Sequence, residues 1–203
     1  MFITFEGPEG GGKTSAMSRL AAWLSEQTLS VVTTREPGGT QLGERIRSLL
    51  LDGDEAGPLA SLLLFEAARA QLVSSVIRPA LQQGAIVLCD RFADSTLAYQ
   101  GYGDGMPADD ISVLNRLATG GLVPDLTFLL DIDPAEGLRR RGRAGDLNSM
   151  DRRDLDFHRR VREGFLALAA QEQERWLVLD AAESPEVLHA RIVERISSMI
   201  VLR

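Results

Sequence analysis

The chain has 203 residues, 44% of them hydrophobic and 25% charged, the proportions of a globular protein with a sizeable core. A net charge of -7 argues against sequence-wide affinity for nucleic acid or an anionic membrane. The lone Cys89 and the isolated His158 and His189 argue against an internal disulfide or a Cys/His metal cluster.

In chain order, a β-rich run at residues 2–5 leads into Gly7-Pro8-Glu9-Gly10-Gly11-Gly12-Lys13-Thr14. A helix over 14–27 sets Met17, Leu20, Ala21 and Leu24 on one face. The second run, 30–34, ends at Arg35-Glu36-Pro37-Gly38-Gly39, and a helix over 41–51 carries Leu42, Ile46, Leu49 and Leu50. Residues 59–83 read as a long apolar helix kinked by Pro79. The third run, 85–89, holds Cys89 as a buried thiol and ends at Asp90-Arg91. A helix over 109–118 precedes the run 126–130, which ends at Asp131, read as structural. The run 176–179 leads to a helix over 184–199, with Ser184 as N-cap and Pro185 in its first turn.

Strands alternating with helices imply an α/β fold, a parallel sheet covered on both faces. Without a repeat, low-complexity tract or linker, residues 1–203 form one domain. Ligands bind beyond the carboxyl ends of such strands, where the glycine-rich and charged segments fall. The N-terminus lacks the basic region and apolar stretch of a signal peptide. No apolar run approaches the roughly 18 residues of a membrane span. A cytoplasmic chain without a membrane partner is expected.

Gly7-x4-Gly12-Lys13-Thr14 matches the phosphate-binding P-loop between a strand and a helix. Its glycines let backbone N–H groups face phosphate oxygens, and the following helix adds its positive end. Gly7, Pro8, Glu9, Gly10, Gly11, Gly12, Lys13 and Thr14 are therefore the expected ATP site. Lys13 would bridge the β- and γ-phosphates while Thr14 holds Mg²⁺. Lys13 is the only lysine, and every other one of the 22 basic residues is arginine. Lysine is a slim point charge that threads into the loop, unlike the arginine fork. A guanine-specifying Asn-Lys-x-Asp motif needs a second lysine and is absent.

Four blocks occur in order: Phe5-Glu6-Gly7-Pro8-Glu9-Gly10, Thr34-Arg35-Glu36-Pro37-Gly38-Gly39-Thr40, Phe65-Glu66-Ala67-Ala68-Arg69, and Asp90-Arg91-Phe92-Ala93-Asp94-Ser95-Thr96-Leu97-Ala98-Tyr99-Gln100-Gly101. With Pro124-Asp125-Leu126-Thr127, they resemble bacterial thymidylate kinases over about residues 2–182. The resemblance implies a P-loop kinase fold with a five-stranded parallel sheet in the order 2-3-1-4-5 and a helical lid. It further implies Mg²⁺-dependent phosphoryl transfer from ATP to dTMP, a homodimer, and no nucleic-acid partner.

Residue roles follow from the same resemblance. Glu9 matches the carboxylate that reaches the acceptor's 3′-hydroxyl. Phe65 and Arg69, four apart on one helical face, would stack on thymine and donate to its carbonyl edge. Phe65 taken alone also fits core packing. Thr96 and Gln100 would face the base, and Tyr99 would lie below the deoxyribose. Arg47 and Arg91 would grip the acceptor phosphate through bidentate forks, with Glu36 beside them. Arg47 also reads as a solvated helix charge. Asp90 would act on Mg²⁺ directly or through water, and Arg140 would pack on adenine.

Residues 137–155 are the expected lid, within an arginine-dense stretch reaching Arg162. In isolation that stretch also reads as a solvated helix face or a basic patch. Some relatives carry a transition-state arginine at the third variable P-loop position, here Gly10, and others carry it in the lid. The expected lid arginine before Met150-Asp151 is replaced by Ser149, so Arg143, Arg152 or Arg153 would substitute, Arg143 first. Lys13, Glu9, Arg91 and Arg143 are thus the expected catalytic set. Phe157 and Phe165 read as core. A deoxynucleoside kinase and a non-catalytic ATP switch are the competing readings.

Overall fold

β1 (Phe2–Glu6), β2 (Val31–Arg35), β3 (Ile86–Asp90), β4 (Leu126–Asp131) and β5 (Trp176–Asp180) form one parallel sheet. Its order is β2-β3-β1-β4-β5, as expected. The computed structural model describes residues 1–51, 56–145 and 149–200. The central strands are apolar along nearly their whole length because both faces are covered, and β1 is buried at every position. The edge strands β2 and β5 are more open, with only Thr34 buried on β2 and Trp176 and Leu179 on β5.

Strand alternation divides the core. Ile3, Phe5, Leu88, Phe128 and Leu130 face Leu20 and Leu24 of α1 (Lys13–Glu26) and Ile192 and Ile196 of α9 (Pro185–Ile200). On the opposite face, Phe2, Val87 and Cys89 meet Leu72, Ile77 and Phe92. There, too, Leu129 meets Tyr99, Phe157, Val161 and Phe165.

α2 (Gln41–Leu51) has the bounds its periodicity implies. The long apolar segment is one helical run, Pro58–Gln82. It comprises α3 (Pro58–Leu72), a π-helical segment (Val73–Ile77) and α4 (Arg78–Gln82). The wider π turn lies just ahead of Pro79, whose missing N–H the regular ladder cannot accommodate. Contrary to the sequence expectation, this run is long and apolar enough by composition to cross a membrane. Here its apolar residues Leu62, Leu72, Val73 and Ile77 are buried in the core. Arg69 is also buried on it.

The Asp90–Gly101 block winds into α5 (Ala93–Thr96) and a second π-helical segment (Leu97–Gly103). α6 (Ala108–Thr119) follows. Ser184 caps α9, its Oγ accepting from Val187 N at 3.3 Å. Besides the short α5, two longer helices lay outside the periodicity reading. α7 (Pro134–Ala144) starts at Asp133, which accepts from Ala135 N and Glu136 N. α8 (Leu155–Gln171) starts at Asp154, which accepts from Phe157 N. The expected lid thus comprises the later part of α7, a turn at 149–153 and the start of α8. Its central residues 146–148 lie outside the described set. Phe157 and Phe165 are fully buried, as expected of core residues.

Each strand ends on a charged residue: Glu6, Arg35, Asp90, Asp131 and Asp180. Of these, Arg35 and Asp90 line the cavity of the site.

Candidate active site

A cavity of about 920 Å³ opens beyond the strand ends. It is lined by Glu9, Gly10, Gly12, Lys13 and Thr14 from the loop, by Glu36 just after β2 and by Arg47 on α2. Phe65, Arg69, Asp90, Arg91, Thr96, Tyr99, Gln100 and Arg140 also line it, whereas the expected Gly7, Pro8 and Gly11 do not. Among the expected side chains, Arg143 does not line it: it is exposed near the end of α7, while Arg141 does face the cavity.

The loop folds as its glycines allow. Gly7, Gly10 and Gly12 have φ of 131°, 70° and 82°, and a Cβ on Gly7 would meet Leu130 O at 2.4 Å. Lys13 Nζ donates to Gly7 O at 3.0 Å and Pro8 O at 2.7 Å, so the ammonium lies within its own loop. Burial, with help from nearby Arg91, lowers its pKa to about 8, against Asp90, Glu9 and Glu6. Thr14 Oγ1 donates to Asp90 Oδ2 at 2.6 Å.

Arg91 joins the two halves of the site. Its Nη1 donates to Gly7 O at 3.1 Å, its Nη2 to Glu9 Oε1 at 3.2 Å, and its guanidinium lies 4.9 Å from the Tyr99 ring centre. It adopts φ +70°, a strained conformation for a non-glycine residue. The next residue is pinned from below: Phe92 N donates to Glu6 Oε1 at 2.8 Å and Ser95 Oγ to Glu6 Oε2 at 2.5 Å. Burial and neighbouring Asp94 push the Glu6 carboxyl up to about 8.

Tyr99 OH also donates to Glu9 Oε1. Burial alone would raise the Glu9 pKa. His158, Arg91, Lys13 and Tyr99 outweigh it and hold the carboxylate well below its usual range.

Arg69 is only 1% exposed, and all five of its N–H groups find acceptors. Nε donates to Glu36 Oε2 at 2.8 Å, Nη1 to Glu66 Oε1 and Asn115 Oδ1 at 2.6 Å each. Nη2 donates to Phe92 O at 3.2 Å and Thr96 Oγ1 at 2.9 Å. A thymine carbonyl would have to displace one of these acceptors. Burial pushes Glu36 up to about 7 against the pull of Arg69.

Arg47 Nη1 donates to Pro37 O at 3.0 Å, tying α2 to the second segment. Arg35 binds both Glu44 oxygens, at 3.0 and 2.9 Å, and Gly39 N donates to Glu44 Oε1 at 2.9 Å.

The arginine-dense stretch is largely ion-paired, partly within α7 and partly across elements. Arg139 and Arg140 bind Glu136, and Arg141 Nε lies 3.3 Å from Asp151 Oδ2. Arg153 binds Asp104, and Arg162 takes both oxygens of Asp131 at 2.6 and 2.7 Å. Ser149, standing where an arginine was expected, donates through Oγ to Leu50 O at 3.0 Å and so links the turn to α2.

Sequence reasoning missed Glu6, Glu66, Asn115, Arg141 and His158. Glu66 lay inside a quoted block, and Glu6 immediately precedes the loop. Asn115 and His158 carried no local signal.

The family model for thymidylate kinase matches residues 5–192. The chain belongs to the thymidylate kinase family. It is 52% identical to the thymidylate kinase of Deinococcus radiodurans, across 97% of this chain and 96% of that one. Its identity to the enzyme of Synechococcus sp. (strain JA-3-3Ab) is 55%, across 95% of this chain and 93% of that one. The crystal structure of thymidylate kinase from Ehrlichia chaffeensis superposes with a TM-score of 0.79 at 39% identity, covering 97% of this chain and 98% of that one. Family membership makes this chain a kinase with ATP as phosphate donor.

Proposed function

We propose that the chain transfers the ATP γ-phosphoryl group to dTMP, giving dTDP and ADP. The observation that carries this is Arg91, which touches the P-loop carbonyl of Gly7 and also lies over Tyr99 in the aromatic half of the cavity. A nucleotide on each side would meet there, phosphate to phosphate.

In the transfer, an acceptor phosphate oxygen bonds to the γ-phosphorus while the bond to the β–γ bridging oxygen breaks, leaving ADP. The acceptor phosphate is already ionised, so the protein's work is placement and charge neutralisation. Lys13 serves the β- and γ-oxygens, Arg47 and Arg91 hold the acceptor phosphate, and Glu9 accepts from the sugar hydroxyl. Phe65, Thr96 and Gln100 receive the base, with Arg69 exchanging an internal acceptor for a base carbonyl. Arg140 packs on adenine. Of the lid arginines, Arg141 already lines the cavity, while Arg143 needs the lid to close before it reaches the γ-phosphate.

Thr14 Oγ1 and Asp90 Oδ2 are hard oxygen donors 2.6 Å apart, and they suit Mg²⁺ completed by phosphate and water. When bound, Mg²⁺ neutralises charge on the β- and γ-oxygens.

A homodimer belongs to the same reading. Leu59 and Leu63 on α3 are 58% and 49% exposed, and Val113 and Leu117 on the adjacent α6 are 46% and 72% exposed. Such an apolar face suits a second copy. A cytoplasmic location, with ATP and dTMP as partners, follows from the same reading.

A coupled ADP-release assay comparing dTMP with thymidine tests the proposal. Turnover of dTMP supports it, and turnover of thymidine alone overturns it, since Arg47 and Arg91 would then have no phosphate to bind.

A further inference from the structure

His158 lies in the first turn of α8, is only 1% exposed, and touches the P-loop acid. Its Nδ1 stands 3.4 Å from Glu9 Oε2, too poorly aligned for a full hydrogen bond. The other Glu9 oxygen is already taken, by Tyr99 OH and by Arg91 Nη2. Oε2 has no hydrogen-bond partner among the described residues, so its lone pairs remain for a substrate hydroxyl. His158 Nε2 is likewise buried without a partner there.

A buried nitrogen without a partner is costly, and a phenyl ring would fill the same space without that cost. The arrangement is understandable if Nδ1–H serves Glu9. A carboxylate beside bound triphosphate is repelled by it, and rotation about the Glu9 side chain would turn Oε2 away from the acceptor. Tyr99 and Arg91 fix only one oxygen, leaving the carboxylate free to pivot about it. The imidazole is the group that restrains the second. Long contacts of this kind tighten when substrate completes the site.

We propose that His158 is a positioning residue that orients Glu9 Oε2 to accept a hydrogen bond from the acceptor's 3′-hydroxyl. This rests on the proposed role of Glu9. The device works across two elements, because this side chain brings α8 into contact with the P-loop acid.

The test is steady-state kinetics with dTMP and its 3′-deoxy analogue on wild type, His158→Phe, His158→Asn and His158→Gln. Asparagine can present an amide N–H near the position of Nδ1, whereas glutamine extends its amide toward Nε2, away from Glu9. We expect His158→Phe and His158→Gln to lose about tenfold in kcat/KM for dTMP, mostly through KM, with less than about twofold change for the analogue. His158→Asn should recover most of the loss, and KM for ATP should hold in all three. Equal losses on both substrates, or no difference between asparagine and glutamine, overturn the inference while leaving Glu9's role intact. A wild-type enzyme indifferent to the 3′-hydroxyl overturns the Glu9 reading and this inference with it. The asparagine–glutamine comparison keeps the test decisive if the phenylalanine variant fails to fold.

Discussion

Gly10 of the P-loop and Gly137 of α7 pack backbone to backbone. A Cβ on Gly10 would meet Gly137 O at 2.1 Å, and one on Gly137 would meet Glu9 O at 2.2 Å. Gly10 also sits at φ +70°. The loop position where some relatives carry an arginine is closed to any side chain here, which fits the proposal that the lid supplies the extra cation.

Gly10→Ala and Gly137→Ala should therefore each cost about 100-fold or more in kcat, because the loop must shift against α7. Gly10→Arg should fail to raise activity. Kinetics with a parallel melting curve check this; a Gly10→Arg enzyme faster than wild type contradicts it.

Lys13 titrates near 8 in the free loop, through burial and Arg91. Bound phosphates stabilise the ammonium and raise that pKa. Well below pH 8 the lysine is already protonated, so ATP binding draws little proton uptake to it there. Above it, binding should take up a proton and weaken as pH rises. Calorimetric titration in buffers of different ionisation enthalpy at pH 7 and pH 9 reads this directly. Lys13→Arg should not restore the function lost in Lys13→Ala, a loss of about 100-fold or more.

Arg69 holds Glu36 and Glu66 in the interior, with their side chains 5% and 7% exposed. Arg69→Met leaves both carboxylates without their cation and should destabilise the fold by about 3–5 kcal/mol. Phe65→Leu, at a half-buried position on the cavity wall, should spare stability and weaken dTMP binding. Urea denaturation beside substrate KM separates the two outcomes.

How legible each feature was in the sequence depended on how local its determinants are. The phosphate loop is contiguous, and its glycines announce their conformations. The strands were legible from their apolar runs, each ending one residue later than expected because its last residue is charged and falls outside the apolar pattern. The strand order came from the family resemblance, since alternation alone does not decide which strands pair. α8 was hidden because its arginines obscured the spacing of Phe157, Val161 and Phe165. The partners of Arg69 are drawn from the second segment, from α3 and from α6. Only the fold brings them together. His158 looked isolated because a lone histidine was weighed only as a metal ligand.

For the lid, Arg141→Ala and Arg143→Ala should lower kcat more than they change KM for dTMP, with the larger loss marking the arginine on the transferring group. An arginine in that role is worth about a thousandfold or more. Unchanged kcat in Arg143→Ala would remove it from the catalytic set.

The central claim is that one cavity joins ATP to dTMP, phosphate to phosphate. The most direct test is product identity after incubation with Mg-ATP and a panel of nucleoside monophosphates alongside thymidine, resolved by anion-exchange chromatography. The account predicts dTDP and ADP in equal amounts, with dTMP the preferred acceptor and thymidine untouched. Phosphorylation of thymidine without dTMP, or ATP binding with no diphosphate formed from any acceptor, would contradict it.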